Sequence, residues 1–406
     1  MKSLFLSTVR ISAFLFCATC GLAGLFAVAC SDDEDPVKDG SIPTDTTWQL
    51  DTASYTGGTL LIFRGFVKPY GFALAPQGNL YVTDLQEGRV IRFTHNFLFT
   101  GWLGSVQGVA NSASGWHVSG LPERGTAFGQ LYMPHSVTFN QSGDLFVGDY
   151  LYDAQHGRVH RYTSAGAYLG LFFDNPSDTT LQFEGIANAC FDKQFNLWVS
   201  DFDGHRVFKF APDGSLIGWL GEKLGGGLTN GFDTTGRAQQ SSAPGGFFKP
   251  HMVQVDDSGF VYVVETGNNR IQKFDSGGHF VGWIGGRDDG TITDGWTSDG
   301  MLPHPNADPG GFSSPVSIRL IPGSAFLVAD NGNNRVQKFS LDGRFVAWLG
   351  GKEGGGVTSG WETSGRSAIG TVPGAFDAPF DAQMRNGRIY VADGHNGRIQ
   401  IFEIAD

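Results

Sequence analysis

The stretch "VADNGNNRVQKF", residues 328–339, sets an apolar run ending in an acid before an Asn/Gly turn, and an arginine then opens an alternating segment. An extended apolar segment, a turn tolerant of positive φ and a second apolar segment read as two antiparallel strands. The same sentence recurs as "VVETGNNRIQKF" (263–274), "VADGHNGRIQIF" (391–402), "VSDFDGHRVFKF" (199–210) and "VTDLQEGRVIRF" (82–93). A sixth copy, "VGDYLYDAQHGRVHRY" (147–162), has a longer turn. Each copy is preceded by another short alternating segment, and four are followed by "GWLG", "GWIG" or "AWLG". The full unit therefore holds four short strands.

Six four-stranded units in one chain predict an all-β fold, a six-bladed β-propeller, because radial repetition buries both faces of every sheet and leaves only short edges. The last copy stops at Asp406 with no room for an outer strand, whereas "TLLIFRGF" (59–66) precedes the first copy and has strand character. That N-terminal strand is expected to close the last blade. The recurring acids Asp84, Asp149, Asp201, Glu265, Asp330 and Asp393 and the arginines Arg89, Arg158, Arg206, Arg270, Arg335 and Arg398 are expected to pair across the turn. Trp102, Trp219, Trp283 and Trp348 share one repeat position and are expected to pack between blades.

Long inserts of about thirty residues join four pairs of blades, well beyond ordinary loops. They share an aromatic anchor (Trp116, Phe232, Trp296, Trp361), and three leave through Pro-Gly-x-Phe. Two readings stay open: a raised wall around one mouth of the channel, or braces between neighbouring blades.

Composition narrows the functional classes. The 406 residues include 60 glycines and 34 phenylalanines, as turns between aromatic-rich strands require, and the net charge of -12 argues against nucleic acid as a partner. Of four cysteines, Cys17, Cys20 and Cys30 lie in or beside an apolar N-terminal run, leaving Cys190 as a small buried residue with no disulfide partner.

The repeat resembles the NHL family in its V-x-D strand end and N-x-R-I-x-x-F strand, and that resemblance implies a propeller over residues 55–406 without fixing an activity. Lys2 and Arg10, the apolar run from Ile11 to Ala29 and the acidic "SDDEDPVKDGS" after Cys30 resemble a bacterial lipoprotein signal, with Ala27 where leucine is usual. The expected organisation is a signal peptide at 1–29, lipidation at Cys30, an acidic flexible tether over 30–54 and an exported, membrane-anchored propeller of the cell envelope, at the outer membrane or cell surface. An uncleaved anchor or an ordinary signal peptide fits the same apolar run.

In a propeller the inner strands start on the face that carries the long inserts. The aligned starts "KPYGFAL", "MPHSVTF", "QFEGIAN", "KPHMVQV", "SPVSIRL" and "APFDAQM" place Tyr70, His135, Glu184, His251, Val316 and Phe380 at the mouth. Tyr70, His135, Glu184, His251 and Phe380 are the candidate ligand-binding residues. His135, Glu184 and His251 form a candidate site for zinc or another divalent metal, with an open position for water. The chain is also similar to six-bladed peptidyl-amidoglycolate lyases, whose zinc histidines lie at such strand starts, and the resemblance carries over to His135 and His251. Alternation instead puts His251 on one face with Val253 and Val255, as part of the interblade core. The two functions to be weighed are a binding propeller for a protein, peptide or glycan and a metal-dependent lyase or hydrolase; no catalytic residue is assigned.

Overall fold

In the computed structural model the described residues are 48–404, apart from 56–57, 76–77, 111–113, 128, 152–156 and 173–181. The expected signal peptide, Cys30 and the tether up to residue 47 lie outside them.

Six antiparallel sheets form the blades. The inner strands are Pro69–Leu74, Met133–Phe139, Ile186–Phe191, Pro250–Val255, Pro315–Ile321 and Pro379–Arg385. Each pairs outward with a second, a third and an outer strand, as in Pro250–Val255, Val261–Glu265, Arg270–Phe274 and Phe280–Gly285 of blade 4. Blade 6 closes as expected: Gly58–Arg64 pairs with Arg398–Ile404, from Gly58↔Ile404 to Arg64↔Arg398. The residues expected to end the flexible tether differ from that reading, because Gln49–Tyr55 adds a fifth strand outside Gly58–Arg64. Its alternating "LDTASY" supplies the edge, and Tyr55 buries its ring against Phe402.

The cores lie between blades. One cluster joins Val253 and Val261 of blade 4 to Trp198 and Val207 of blade 3, and another joins Ile318 and Phe326 of blade 5 to Tyr262 and Ile271 of blade 4. Trp219, Trp283 and Trp348 are essentially fully buried, as the repeat position predicts. All six acid–arginine pairs form, at N–O distances from 2.6 Å (Arg270–Glu265) to 3.2 Å (Arg89–Asp84).

The pairs do more than pin a turn. Asp330 accepts the backbone N–H of Ser313 and the side chains of Asn333, Arg335 and Gln337. Arg335 then donates to the carbonyls of Ala307, Asp308 and Gly311, and Gln337 also donates to Gly311. Blades 4 and 6 repeat this network around Glu265 and Asp393. Each clamps the Pro-Gly-x-Phe exit of the preceding insert. Gln272, Gln337 and Gln400 occur in the three blades that follow those exits.

The inserts lie along the outer edges of the blades. Trp102, Trp219, Trp283 and Trp348 make antiparallel bridges to His117, Asp233, Thr297 and Glu362 of their own inserts. Trp116 Nε1 donates to Ser164 O of blade 2, and Trp296 Nε1 donates to Leu341 O of blade 5. Trp116 and Trp296 thus link their blades to the next ones, which favours the bracing reading of the two.

Candidate functional site at the channel mouth

Five inner strands share an irregularity that alternation hides. Pairing shifts register between Pro250 and Met252, between Pro315 and Ser317, between Pro379 and Asp381 and between Ile186 and Asn188, with the same slip opposite Gly148/Asp149 in blade 2. Blade 1 slips between Pro69 and Phe72. The residues skipped in the strand register are His251, Val316, Phe380, Ala187, His135 and, in blade 1, Tyr70 with Gly71. A bulge inserts one residue and re-aims its side chain. His251 is therefore released from the face it would share with Val253, and the bulged residues form the mouth ring.

The ring contains Ala187, not Glu184. The residue just before the bulge lies opposite the second-strand acid in every blade, and in blade 3 that residue is Ile186, opposite Asp201. Glu184 precedes the strand, where its N–H caps Asp201 as the N–H of Phe248 caps Glu265. Its carboxylate is 42% exposed and lies 3.9 Å from Arg237. The expected placement is corrected for a physical reason: blade 3 lacks the proline that marks the strand start elsewhere. Counting fifteen residues back from the acid, as from Glu265 to Pro250, finds Ile186.

Aromatic stacking organises the ring. Tyr70 stacks on His135 at 4.4 Å and on Phe380 at 4.3 Å, and its hydroxyl lies 2.6 Å from His251 Nε2. His135 Nδ1 is 3.2 Å from Ile186 O, which suits a neutral ring protonated on Nδ1. The surrounding atoms desolvate the half-buried His135, and its pKa falls to about 4. Burial, reinforced by neighbouring His135, takes His251 to about 3. Its Nδ1 is buried and finds no hydrogen bond of good geometry. Both imidazoles are neutral at pH 7.

A neutral histidine can bind a metal, but three ligands do not converge here. The two imidazole centroids are 6.3 Å apart, the Tyr70 ring lies against both, and its hydroxyl engages His251 Nε2. Among the described residues no group of three His, Cys, Asp or Glu side chains is placed to hold a metal ion. The expected His135/Glu184/His251 set does not assemble, so these residues do not fit the zinc of the lyases.

Around the ring lies a surface sequence reasoning did not reach. Tyr150 donates to Asp203 at 2.7 Å and stacks on His135 at 5.2 Å. Lys68 sits 5.5 Å from the Phe380 ring, and Lys249 sits 5.0 Å from Phe202. Rings, cations and one carboxylate alternate around the mouth.

The comparisons agree with this architecture. The NHL repeat family model matches residues 248–274 and 382–402, in blades 4 and 6. The chain is thus a six-bladed β-propeller, and two of its blades match the NHL repeat. It is similar to NHL repeat-containing protein 3 of Homo sapiens, 30% identical over 173 residues that make up 41% of each chain. It is also similar to peptidylglycine alpha-amidating monooxygenase of Rattus norvegicus, 32% identical over 157 residues, 37% of this chain and 13% of that protein. The chain spans less than half the length of these curated relatives. Among solved structures, an auxiliary nutrient binding protein from Bacteroides thetaiotaomicron VPI-5482 superposes with a TM-score of 0.51 at 12% identity, covering 83% of this chain and 69% of that one.

Proposed function

We infer that this protein is a ligand-binding propeller, lipid-anchored through Cys30 at the cell envelope, and that its insert-bearing mouth receives a protein, peptide or glycan. The observation that carries the reading is the ring itself, whose bulges present stacked Tyr70, His135 and Phe380 beside Lys68, Lys249 and Asp203, without three converging metal ligands. Aromatic and cationic side chains offer apolar contact and charge together, as recognition surfaces do. Similar solved structures named as auxiliary nutrient binding proteins are consistent with a binding role. The anchor rests on the order basic start, apolar run, Cys30 and acidic segment.

The second reading is a metal-dependent lyase or hydrolase. Its support is the similarity to amidating enzymes together with His135 and His251 at equivalent strand starts. A thermal-shift panel of peptides and oligosaccharides, run beside turnover of a peptidyl α-hydroxyglycine with and without added zinc, separates the two. Binding predicts a raised melting temperature with at least one ligand, reduced in His135→Ala, and no zinc-dependent turnover. Zinc-dependent turnover abolished in His135→Ala and His251→Ala would establish the enzyme instead. For the anchor, Cys30→Ser is expected to move the protein from the detergent phase to the aqueous phase.

A further inference from the structure

The opposite end of the channel holds a feature that neither the mouth nor the inserts explain. Between its inner and second strands blade 3 reads "DKQFN", and Phe195 sits there at φ 59°. Its N–H closes onto Asp192 O, as those of Gly78, Gly143 and Gly259 close onto Ala75, Asn140 and Asp256. The inner turns of blades 5 and 6 carry positive-φ Gly323 and Gly387. Blades 1, 2 and 4 thus use glycine at this turn position, blades 5 and 6 turn differently, with Ser324 N–H closing onto Ile321 O and with Asn386 beside Gly387 at positive φ, and blade 3 alone among these turns holds a phenylalanine in the left-handed conformation. For a bulky side chain this is a strained state that persists only when its surroundings over-determine it. Asp192 supplies that constraint, accepting from the N–H groups of Gln194 and Asn196 and from the side chains of Asn196 and Trp198.

Core packing does not account for the residue. Phe97 of blade 1 also has positive φ, and its ring packs edge-on against Phe63 and tilted against Tyr390 at the core between blades 6 and 1. Phe195 belongs to none of the core clusters. Instead it lines a cavity of about 400 Å³ at the channel end, together with Phe139, Thr138, Gln141, Arg319 and Gln383. That size falls within the usual range of small-molecule sites.

The chemistry of the lining selects a ligand class. Arg319 is the only charged residue among the lining residues, and its Nε and Nη2 pair with both carboxylate oxygens of Asp381. The pair leaves little net charge for an ionic ligand. Gln383 Oε1 is buried without a hydrogen-bond partner, a cost that a bound donor removes. Two phenyl rings beside amide and hydroxyl groups suit a molecule with an apolar C–H face and several hydroxyls. We propose that this cavity binds a neutral polyhydroxylated ring of monosaccharide size, with Phe195 as an aromatic wall and Gln383 as hydrogen-bonding partner.

The proposal is independent of what the insert-bearing mouth receives. Its test is saturation-transfer NMR and calorimetry on the full chain with D-glucose, D-galactose, D-xylose and N-acetyl-D-glucosamine, with acetate and inorganic phosphate as charged probes. At least one sugar is expected to bind and both anions to fail. Phe195→Gly, which installs the residue type used at this position by blades 1, 2 and 4, is expected to melt no lower than wild type yet weaken sugar binding by at least about tenfold; Gln383→Leu should weaken it similarly. Absence of sugar binding, binding of the anions alone, or sugar binding that survives both substitutions would overturn the proposal. Survival of binding in both variants would leave the binding-propeller reading standing.

Discussion

At the scale of single residues the mouth is governed by two imidazoles kept neutral. A histidine in an unfolded chain titrates near 6.5, whereas His135 titrates at about 4 and His251 at about 3. Between those values the unfolded chain binds more protons than the folded one, so the two histidines make stability fall as pH drops below about 6.5, down to about 3. Urea midpoints measured from pH 7.5 to 4 should therefore decline less steeply in a His135→Gln/His251→Gln double variant than in wild type; equal slopes would show that the rings titrate normally. Tyr70→Phe removes a 2.6 Å hydrogen bond and strands His251 Nε2. It should cost about 1–3 kcal/mol in urea unfolding at pH 7. His135 and His251 were legible in the sequence as ring members because their prolines and acids repeat. Glu184 was misplaced because blade 3 has Ile186 where four blades have proline fifteen residues before the acid. The bulge that turns His251 away from Val253 is a property of backbone pairing, and apolar alternation carries no trace of it.

At the scale of elements the repeated acid is a hub joining three segments of chain. Asp330 ties together the start of the inner strand, the turn after the second strand and the arginine that grips the insert exit. Removing it leaves Arg335 buried without its counter-charge. Asp330→Ala is expected to cost about 3–5 kcal/mol in denaturant unfolding, as breaking one side of a buried ion pair does. A loss below about 1 kcal/mol would mean that the insert exit is held by other contacts. The pairing itself was readable from six copies of one spacing. The clamp on the exits was not, since it requires two separately recurring motifs to meet in space. The channel-end cavity was less legible still: it arises where turns from different blades converge, and its one sequence signal is Phe195 in a glycine position.

At the scale of the whole molecule, the N-terminal strand pair closes the ring by pairing Gly58–Arg64 with the C-terminal strand Arg398–Ile404, and Gln49–Tyr55 covers it. Cooperativity of the propeller depends on this closure, since each blade buries its faces only against its neighbours. Deleting residues 49–64 should convert a single unfolding transition into a broad one of lower midpoint, followed by tryptophan fluorescence. A chain that still unfolds sharply at the wild-type midpoint would show that closure contributes little. The closing strand was legible because the last repeat lacked an outer strand, whereas the added fifth strand falls in a segment whose upstream composition is acidic and polar.

The bulged ring presents a recognition surface and, among the described residues, brings no three metal ligands together. The decisive measurement is the metal content of purified full-length protein, by mass spectrometry, for wild type, His135→Ala, His251→Ala and Glu184→Ala after equilibration with zinc and desalting. Well under one equivalent of zinc is expected in wild type, with no systematic difference among the variants. One zinc per wild-type chain, lost in both histidine variants, would contradict it.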